Sequence, residues 1–171
     1  MITLSRCLMT TPLDEARSRM WRLFRTTYVT VTEQIERDLE QAGLPGLIWY
    51  SVLWTLELAP NQEMRLHELA ESVFLSRSNI TRLTDRMEAD GLLCRKRCPS
   101  DRRGAYAAIT PAGLALRKQM WAVYSAGIAQ YFTDHLSDEE VAVLDRVCDR
   151  VLTANHPLPP PTPPAPPTDC C

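Results

Sequence analysis

Residues 66–113, LHELAESVFLSRSNITRLTDRMEADGLLCRKRCPSDRRGAYAAITPAG, contain the clearest structural signals of the chain. Their apolar spacing predicts a short helix from Met64 to about Val73. Ser76 is a good N-cap for a second helix, and Gly91 ends that helix in the left-handed conformation that glycine allows. Apolar residues at helical spacing form the inward face of the second helix: Ile80, Leu83 and Met87. Two short helices joined by a tight turn predict a helix-turn-helix.

A β-hairpin is predicted directly after the second helix. Leu92–Arg97 and Ala105–Ile109 have the character of short strands, and Ser100–Gly104 forms the turn between them. This turn contains two adjacent arginines beside an aspartate and a glycine. An exposed turn needs polarity, but it does not need this much positive charge. We interpret the hairpin as a wing.

A long helix precedes this unit. Thr11-Pro12 can provide its cap and first turn, and the helix is expected to end near Gly43. Apolar residues follow one face at steps of three and four: Met20, Phe24, Tyr28, Val31, Ile35 and Leu39. A helix of about thirty residues is long for a small monomeric domain, so we expect this face to have a partner. The next segment, LIWYSVLWTLEL (47–58), is apolar nearly all round and predicts a buried helix.

Two helices are predicted after the hairpin. Thr110 caps the first of them, with Pro111 at its first position. Ser137 and Glu140 form a capping box at the start of the last helix. The apolar face of that helix has four members: Val141, Leu144, Val147 and Val151.

Charge is distributed unevenly along the chain. The net charge is −2 and the pI is near 5.9, values that argue against a general nucleic-acid-binding protein. Residues 74–104, however, contain eight basic and four acidic residues, whereas the rest of the chain contains eleven basic and seventeen acidic ones. A basic segment on an acidic protein indicates local attraction to polyanions.

Several function classes find no support in the residues. No apolar run of eighteen or more residues predicts a membrane span, and the N-terminus lacks the features of a secretory signal, so we expect a cytoplasmic protein. The six cysteines include no Cys-x-x-Cys pair and the three histidines are scattered, so we expect no metal and no cofactor. With no phosphate-binding glycine loop and no nucleophile–base set, we expect no catalytic residues.

Residues 66–113 resemble the winged-helix core of MarR-type bacterial transcription regulators. The wing signature of that family is Asp-x-Arg, five residues, a large aliphatic residue, Thr, two residues and Gly. Here it is matched by Asp101, Arg103, Ile109, Thr110 and Gly113. Further matches lie in the two helices: Leu69-Ala70, Ser76-Arg77-Ser78, Arg86-Met87-Glu88 and Gly91-Leu92.

The resemblance implies a mainly α fold with a small two-stranded β-wing, in which a winged helix-turn-helix is flanked by long dimerisation helices. It also implies an obligate homodimer and release of DNA on binding of a small phenolic ligand or on thiol oxidation. The expected organisation has five parts: a flexible N-terminal segment (1–10), an N-terminal dimerisation helix (11–45), the winged helix-turn-helix DNA-binding domain (46–110), C-terminal dimerisation helices (111–155) and a disordered proline-rich tail (156–171).

One position departs from the usual pattern. The helix-turn-helix turn often contains glycine, but here it reads Val73-Phe74-Leu75. A bulky residue at positive φ is costly. We therefore expect either a different turn geometry or a first helix that is one residue longer, with Phe74 available for core packing.

The second helix is expected to enter the major groove of DNA with its N-terminal turn. Asn79 and Arg82 are the candidates for base contacts, because Asn can pair with adenine and Arg with guanine. Further DNA-facing candidates, shared between bases and phosphates, are Ser76, Arg77, Ser78 and Thr81. The alternative is that these residues only form the solvated face of a surface helix.

The wing is expected to contact the minor groove. Arg102 and Arg103 at its tip would meet the enhanced negative potential there. Asp101 is expected to pair with Arg86 or Arg82, and so to position the wing against the recognition helix. The preceding strand adds positive charge that favours this interpretation over a turn charged only for solubility: Arg95, Lys96 and Arg97.

Two further features bear on regulation. Cys94 and Cys98 lie in or beside the wing among basic residues that favour the thiolate, so their oxidation could release DNA. The alternative is that they are small buried strand residues, and Cys148 is expected in the core or an interface. Aromatic residues are available to line a small-molecule pocket or to fill the core: Trp21, Tyr28, Trp49, Tyr50, Trp54 and Trp121.

The sequence therefore predicts a sequence-specific DNA-binding transcriptional regulator, with repression as the expected outcome, acting as a homodimer on a palindromic operator. The expected partners are double-stranded DNA, a second copy of the chain and a small aromatic or phenolic ligand, and no membrane. The alternative is a winged helix used as a protein-interaction or dimerisation scaffold without specific DNA binding.

Overall fold

The computed structural model describes residues 13–98 and 101–155, and it describes side chains in these ranges except for 97–104. Within these residues six α-helices and three β-strands follow one another along the chain. Their bounds are α1 (Glu15–Gln41), α2 (Leu47–Leu58), β1 (Glu63–Arg65), α3 (Leu66–Ser72), α4 (Arg77–Ala89), β2 (Leu93–Cys98), β3 (Asp101–Ile109), α5 (Pro111–Tyr131) and α6 (Asp138–Asn155). The predicted mainly α fold with a β-wing is confirmed. The predicted segments 1–10 and 156–171 lie outside the described residues.

None of the helices in the two described ranges is both long and apolar enough to cross a membrane.

The sheet has three antiparallel strands, in the order β1-β3-β2, rather than the predicted two. Glu63 pairs with Ala108, and Arg65 pairs with Tyr106. The first helix of the helix-turn-helix therefore begins at Leu66, and the prediction that it starts at Met64 was wrong. A strand of three residues is too short to show an alternating pattern in the sequence.

The wing hairpin is formed by β2 and β3. Leu93 lies opposite Ile109, and pairing continues, with an irregularity between Arg97 and Cys98, until Cys98 lies opposite Asp101. The connection between the strands is therefore shorter than the predicted turn at Ser100–Gly104.

Helix α1 uses a different cap from the predicted one. The carboxylate of Asp14 accepts a hydrogen bond from the backbone N–H of Arg17 at 2.7 Å and caps the helix, whereas Thr11-Pro12 lies outside the described residues. The predicted apolar face divides into two parts. Ile35 and Leu39 are buried beside α2 and α5, but the N-terminal members of the face are exposed: Met20, Phe24 and Tyr28.

Helix α6 also leaves its apolar face open. The predicted capping box is confirmed: the N–H of Ser137 donates to Glu140 at 2.8 Å, and the N–H of Glu140 donates to the Ser137 hydroxyl at 3.3 Å. No residue of α6 is buried, and Val141, Val147 and Val151 are exposed.

The main core lies between α2, α3, α4 and the sheet. The predicted inward face of α4 is confirmed, because Ile80, Leu83 and Met87 are all buried there. Helix α2 contributes Val52, Leu53 and Leu56 to the same core, but it exposes two apolar residues on its other side: Trp54 and Leu58. The prediction that α2 is buried nearly all round was therefore only partly right.

Three helices end in the same backbone motif, in which a residue at positive φ follows the helix. Gly43 (φ 69°) occupies this position after α1, Gly91 (φ 71°) after α4, and Phe74 (φ 55°) after α3. After α3, the N–H of Leu75 donates to the carbonyl of Ala70 at 2.8 Å, as in a Schellman motif. A leucine follows the positive-φ residue each time: Leu44, Leu75 and Leu92.

The helix-turn-helix turn thus keeps the geometry that suits glycine, and neither alternative expected for it is observed. A residue with a β-carbon costs roughly 1–2 kcal/mol in this conformation. Phe74 is also 77% exposed, so the expectation that it packs into the core was wrong.

Thr110 joins the end of α4 to the start of α5. Its hydroxyl donates to the carbonyl of Gly91 at 2.7 Å and accepts the N–H of Gly113 at 3.1 Å, which confirms its predicted role as the cap of α5. Gly113 permits this close packing, because a β-carbon there would lie 2.2 Å from the carbonyl oxygen of Leu92.

Arg95 attaches the wing to α4. Its backbone N–H donates to Glu88 at 2.8 Å, and its guanidinium donates to the hydroxyl of buried Thr84 at 2.7 Å and to the carbonyl of Thr81 at 2.9 Å. The guanidinium also forms ion pairs with Asp85 at 2.6 Å and with Glu88 at 3.6 Å. The side chain is only 24% exposed, so these interactions are partly shielded from water.

We expect Arg95→Met to lower the free energy of unfolding by about 1–2 kcal/mol, because it removes several charge-assisted hydrogen bonds from a partly buried site. Urea unfolding followed by circular dichroism measures the change. Lys96→Met is the matched control on the same strand. Lys96 pairs with Glu63 but is 59% exposed, so its loss should cost less than about 1 kcal/mol. Equal losses in the two variants would contradict the role assigned to Arg95.

Candidate nucleic-acid interface

The side of α4 that faces away from the core is polar and exposed. Because Ile80, Leu83, Thr84 and Met87 are buried, the other residues of the helix are directed outward. The exposed positions include every residue of the helix that was predicted to bind DNA or to position the wing: Arg77, Ser78, Asn79, Thr81, Arg82 and Arg86.

Asn79, Arg82 and Arg86 lie next to one another on this side. Their spacing of three and four residues puts them in one row along the helix. They border a shallow surface depression of about 230 Å³, whose floor includes Ile48 and Leu75. Neither Arg82 nor Arg86 forms an ion pair with another residue of the described ranges. Both positive charges therefore face solvent.

Three hydroxyl groups lie near the start of α4, those of Ser76, Ser78 and Thr81. The Ser76 hydroxyl accepts the N–H of Asn79 at 3.3 Å, as predicted for an N-cap, and lies 3.1 Å from the hydroxyl of Ser78. The Thr81 hydroxyl donates to the carbonyl of Arg77 at 2.8 Å. Because a hydroxyl has one donor and two acceptor sites, each retains capacity for a further bond. The helix dipole adds partial positive charge at this end.

The basic residues at the start of β2 contribute less to a DNA-facing charge than the sequence suggested. Arg95 is paired with Asp85 and Glu88, and Lys96 donates to a carboxylate oxygen of Glu63 at 2.7 Å. These two cations are largely neutralised within the protein. The exposed positive charge of the described residues in this region therefore comes mainly from α4.

The residues predicted at the wing tip are placed by their backbone alone. Residues 101–103 belong to β3, next to the end of β2. The side chains of Cys98, Asp101, Arg102 and Arg103 lie outside the described residues. The predicted pairing of Asp101 with Arg86 or Arg82 therefore stays a prediction.

The structural roles of two arginines at the base of the wing were not predicted from the sequence. Arg65 donates to the hydroxyl of Tyr106 at 2.7 Å, and its guanidinium lies 5.3 Å from the centre of that ring. This pair links β1 to β3 and could have been found only after β1 was recognised as a strand. Arg95 had a clearer signal, because the carboxylates of Asp85 and Glu88 lie one helical turn apart shortly before it.

The two described thiols are both free and exposed. Cys94 lies on β2, so the alternative that it is a small buried strand residue does not hold. Cys148 is exposed on α6 and is not part of the core. Cys148 would lie at an interface, as predicted, only if another molecule covers α6.

The aromatic residues at the junction of α2 and α5 pack on one another. Tyr50 stacks on Trp121, with ring centres 6.0 Å apart, and meets Tyr124 edge-on at 5.0 Å. Burial raises the pKa of the Tyr50 hydroxyl, and the neighbouring Arg117 guanidinium opposes this rise. Burial also raises the pKa of Tyr124. Arg117 in turn donates to Glu57 at 2.7 Å. At neutral pH both phenols are therefore uncharged.

The other predicted pocket aromatics do not join this cluster of packed rings. Trp49 is half-buried, and the remaining three are exposed: Trp21, Tyr28 and Trp54.

Known proteins with a similar sequence are transcriptional regulators. Residues 50–104 match the MarR family model. The HTH-type transcriptional regulator MhqR of Bacillus subtilis is 26% identical over 139 residues, which cover 81% of this chain and 93% of that protein. YkoM of the same organism, an uncharacterized HTH-type transcriptional regulator, is 26% identical over 126 residues, 74% of this chain and 80% of that protein.

Solved structures agree in fold. AbsC of Streptomyces coelicolor, a MarR family transcriptional regulator, superposes with a TM-score of 0.74 at 29% identity, covering 85% of this chain and 97% of that one. Sco3205 of the same organism, solved in complex with DNA, superposes with a TM-score of 0.76 at 24% identity. The match covers 85% of this chain and 91% of Sco3205. The match to the family model, the curated relatives and the shared winged-helix fold agree: the chain is similar to transcriptional regulators of the MarR family.

Proposed function

We propose that the chain acts as a homodimeric repressor that binds a palindromic DNA site through α4 and the wing. The proposal is carried by one observation. Asn79, Arg82 and Arg86 form an exposed polar row on a helix whose apolar side is held in the core. Two relatives named as transcriptional regulators support it, as does the finding that Sco3205, which has the same fold, binds DNA.

The row on α4 has suitable partners in the major groove. A guanidinium such as that of Arg82 can donate two hydrogen bonds to guanine, and the amide of Asn79 can pair with adenine. The neighbouring residues are assigned to phosphates and to the groove edge, where they position the helix without reading the sequence: Ser76, Arg77, Ser78, Thr81 and Arg86. The positive end of the helix dipole favours phosphates at the same place.

The wing completes the interface in this proposal. Arg102 and Arg103 are assigned to the adjacent minor groove, whose negative potential attracts guanidinium groups. Asp101 is assigned to positioning of the wing. The attachment of β2 to α4 through Arg95 supports this arrangement, because it makes the hairpin and the helix approach DNA as one body.

A second copy of the chain would cover the open faces of α1 and α6. The N-terminal half of α1 exposes large apolar side chains that belong to neither core cluster of the described residues, among them Trp21 and Phe24. Val147 and Val151 are exposed on α6. Surfaces of this kind commonly mark protein interfaces. Dimerisation also serves recognition, because two recognition helices about 34 Å apart meet successive major grooves.

Release of DNA is proposed to follow one of two signals. The first is oxidation of Cys94 or Cys98 by a peroxide, in which a thiol becomes a sulfenic acid and the peroxide is reduced to water or an alcohol. Exposure of Cys94 supports access of the oxidant. The second is binding of a small aromatic ligand among the aromatic residues near α1, α2 and α5.

We expect Arg82→Ala to weaken binding to a preferred duplex by about 1–3 kcal/mol and to relax the preference at one base pair. Arg77→Ala should instead weaken binding to preferred and random duplexes alike and lower the salt dependence by about one phosphate equivalent. Fluorescence anisotropy at several salt concentrations measures both effects, with a duplex that the wild-type protein selects from a random-sequence pool.

Lys118→Ala, at an exposed position of α5, is the control for loss of a positive charge and should change neither quantity. A wild-type protein that selects no sequence and binds no duplex would contradict the proposal and favour the protein-interaction scaffold.

We expect Val147→Glu to convert the dimer into a monomer, because it puts a carboxylate into the apolar face of α6. Light scattering coupled to size-exclusion chromatography measures the mass, and the same samples are tested for binding to the selected duplex. Arg146→Gln is the matched control: it makes the same change in net charge at the neighbouring position and leaves the apolar face intact. A wild-type chain that is monomeric at micromolar concentration would refute dimerisation.

We expect mild peroxide to release the wild-type protein from the selected duplex, and Cys94→Ser or Cys98→Ser to resist release because serine cannot be oxidised in this way. A gel shift with and without a reductant measures the response. Cys148→Ser is the matched control, since Cys148 is also exposed but lies on α6. If all four proteins respond equally, neither wing thiol is the sensor.

A further inference from the structure

The shallow depression of about 230 Å³ beside the polar row lies between α4 and the start of α2. Three exposed polar side chains border it, those of Asn79, Arg82 and Arg86. The other lining residues are apolar: Ile48, Leu75 and Leu83. The side of α4 that the proposed function brings to DNA is therefore polar at the rim of the depression and apolar at its floor.

The fold holds the floor of the depression in place. Leu83 is buried in the main core, and Ile48 and Leu75 pack partly buried against the same core. The backbone beside Ile48 is also attached to α1, because the N–H of Leu47 donates to the carboxylate of Glu36 at 3.0 Å. Covering the floor with another molecule therefore costs little additional side-chain entropy.

The rim and the floor together limit what the depression can receive. Arg82 and Arg86 form no ion pair with another residue of the described ranges, so the rim attracts a polyanion. The side chains of the floor offer no hydrogen bond, so a polar group would lose its hydrogen bonds to water there. The matching group is a small apolar one on a polyanion. In the major groove, only thymine presents a methyl group.

On the basis of the proposed function, we infer that Ile48 and Leu75 read a thymine by receiving its methyl group in the depression. Asn79, at the rim, is assigned to adenine. The methyl group therefore belongs to the same base pair as that adenine or to the next one, since neighbouring pairs are only about 3.4 Å apart. Ile48 is thus a specificity residue that α2 supplies from outside the helix-turn-helix.

Replacement of thymine by uracil tests this contact, because it removes the methyl group and leaves the base pairing intact. One thymine at a time is replaced, in one strand of the duplex that the wild-type protein selects, and fluorescence anisotropy gives the Kd. At one position, the critical thymine, the replacement should raise the Kd of the wild type about three- to fivefold, as expected for one buried methyl group. The salt dependence should not change, because no phosphate contact is lost.

Ile48→Thr should remove most of this sensitivity, because it shortens the side chain and puts a hydroxyl group at the floor. Ile48→Ala should do the same by moving the floor out of reach of the methyl group. Leu58→Thr is the matched control: it introduces the same hydroxyl on the same helix, at an exposed residue that does not line the depression, and should keep the wild-type sensitivity. Each result is a ratio of two Kd values for one protein, so a modest loss of stability in a variant does not affect it.

The position of the critical thymine is a second test. It should lie in, or next to, the base pair at which Asn79→Ala relaxes the preference. A critical thymine elsewhere in the duplex would overturn the inference. It would equally be overturned if no uracil replacement weakens the wild type, or if both Ile48 variants keep the wild-type ratio.

Failure of this inference is distinguishable from failure of the proposed function. If Arg82→Ala weakens binding and no uracil replacement does, only the inference on the depression fails. If the wild-type chain selects no duplex at all, both fail.

Discussion

The packing of Ile80, Leu83 and Met87 against the rest of the core sets the orientation of α4, and the outer side of the helix takes its direction from that packing. In a helix with 3.6 residues per turn, burial of one face determines which residues point the other way. Buried Thr84 extends this control to the wing, because its hydroxyl accepts a hydrogen bond from Arg95 of β2. The side chains on the outer face thus do not have to hold the helix in place, and they remain available for another molecule.

The features that the sequence predicted correctly depend on residues close together along the chain. Ser76, Thr110 and the Ser137–Glu140 pair are caps whose partners lie three residues away, so their geometry can be read locally. Strand β1 was missed because its three residues become a strand only by pairing with β3, far along the chain. The local sequence Glu63–Arg65 does not predict that pairing.

In the candidate site, too, the features set by neighbouring residues were predicted, and those set by residues distant in the sequence were not. The outer face of α4 followed from its apolar period alone. The pairing of Arg95 could not be predicted in this way. A charged strand residue looks the same in a sequence whether it faces DNA or a neighbouring carboxylate. Phe74 was misjudged for a different reason. Phenylalanine is normally a core residue, and its cost at positive φ argued for another turn, yet the turn keeps the glycine geometry and the ring stays outside the core.

The junction at Thr110 and Gly113 has a mechanical consequence. The Thr110 hydroxyl bonds both Gly91, just beyond α4, and the first turn of α5, and Gly113 lets that turn lie directly on the carbonyl of Leu92. These contacts hold the first turn of α5 against the residues that directly follow α4. A tilt of α5 would therefore displace the C-terminal end of α4, and the direction in which its polar row points would change with it.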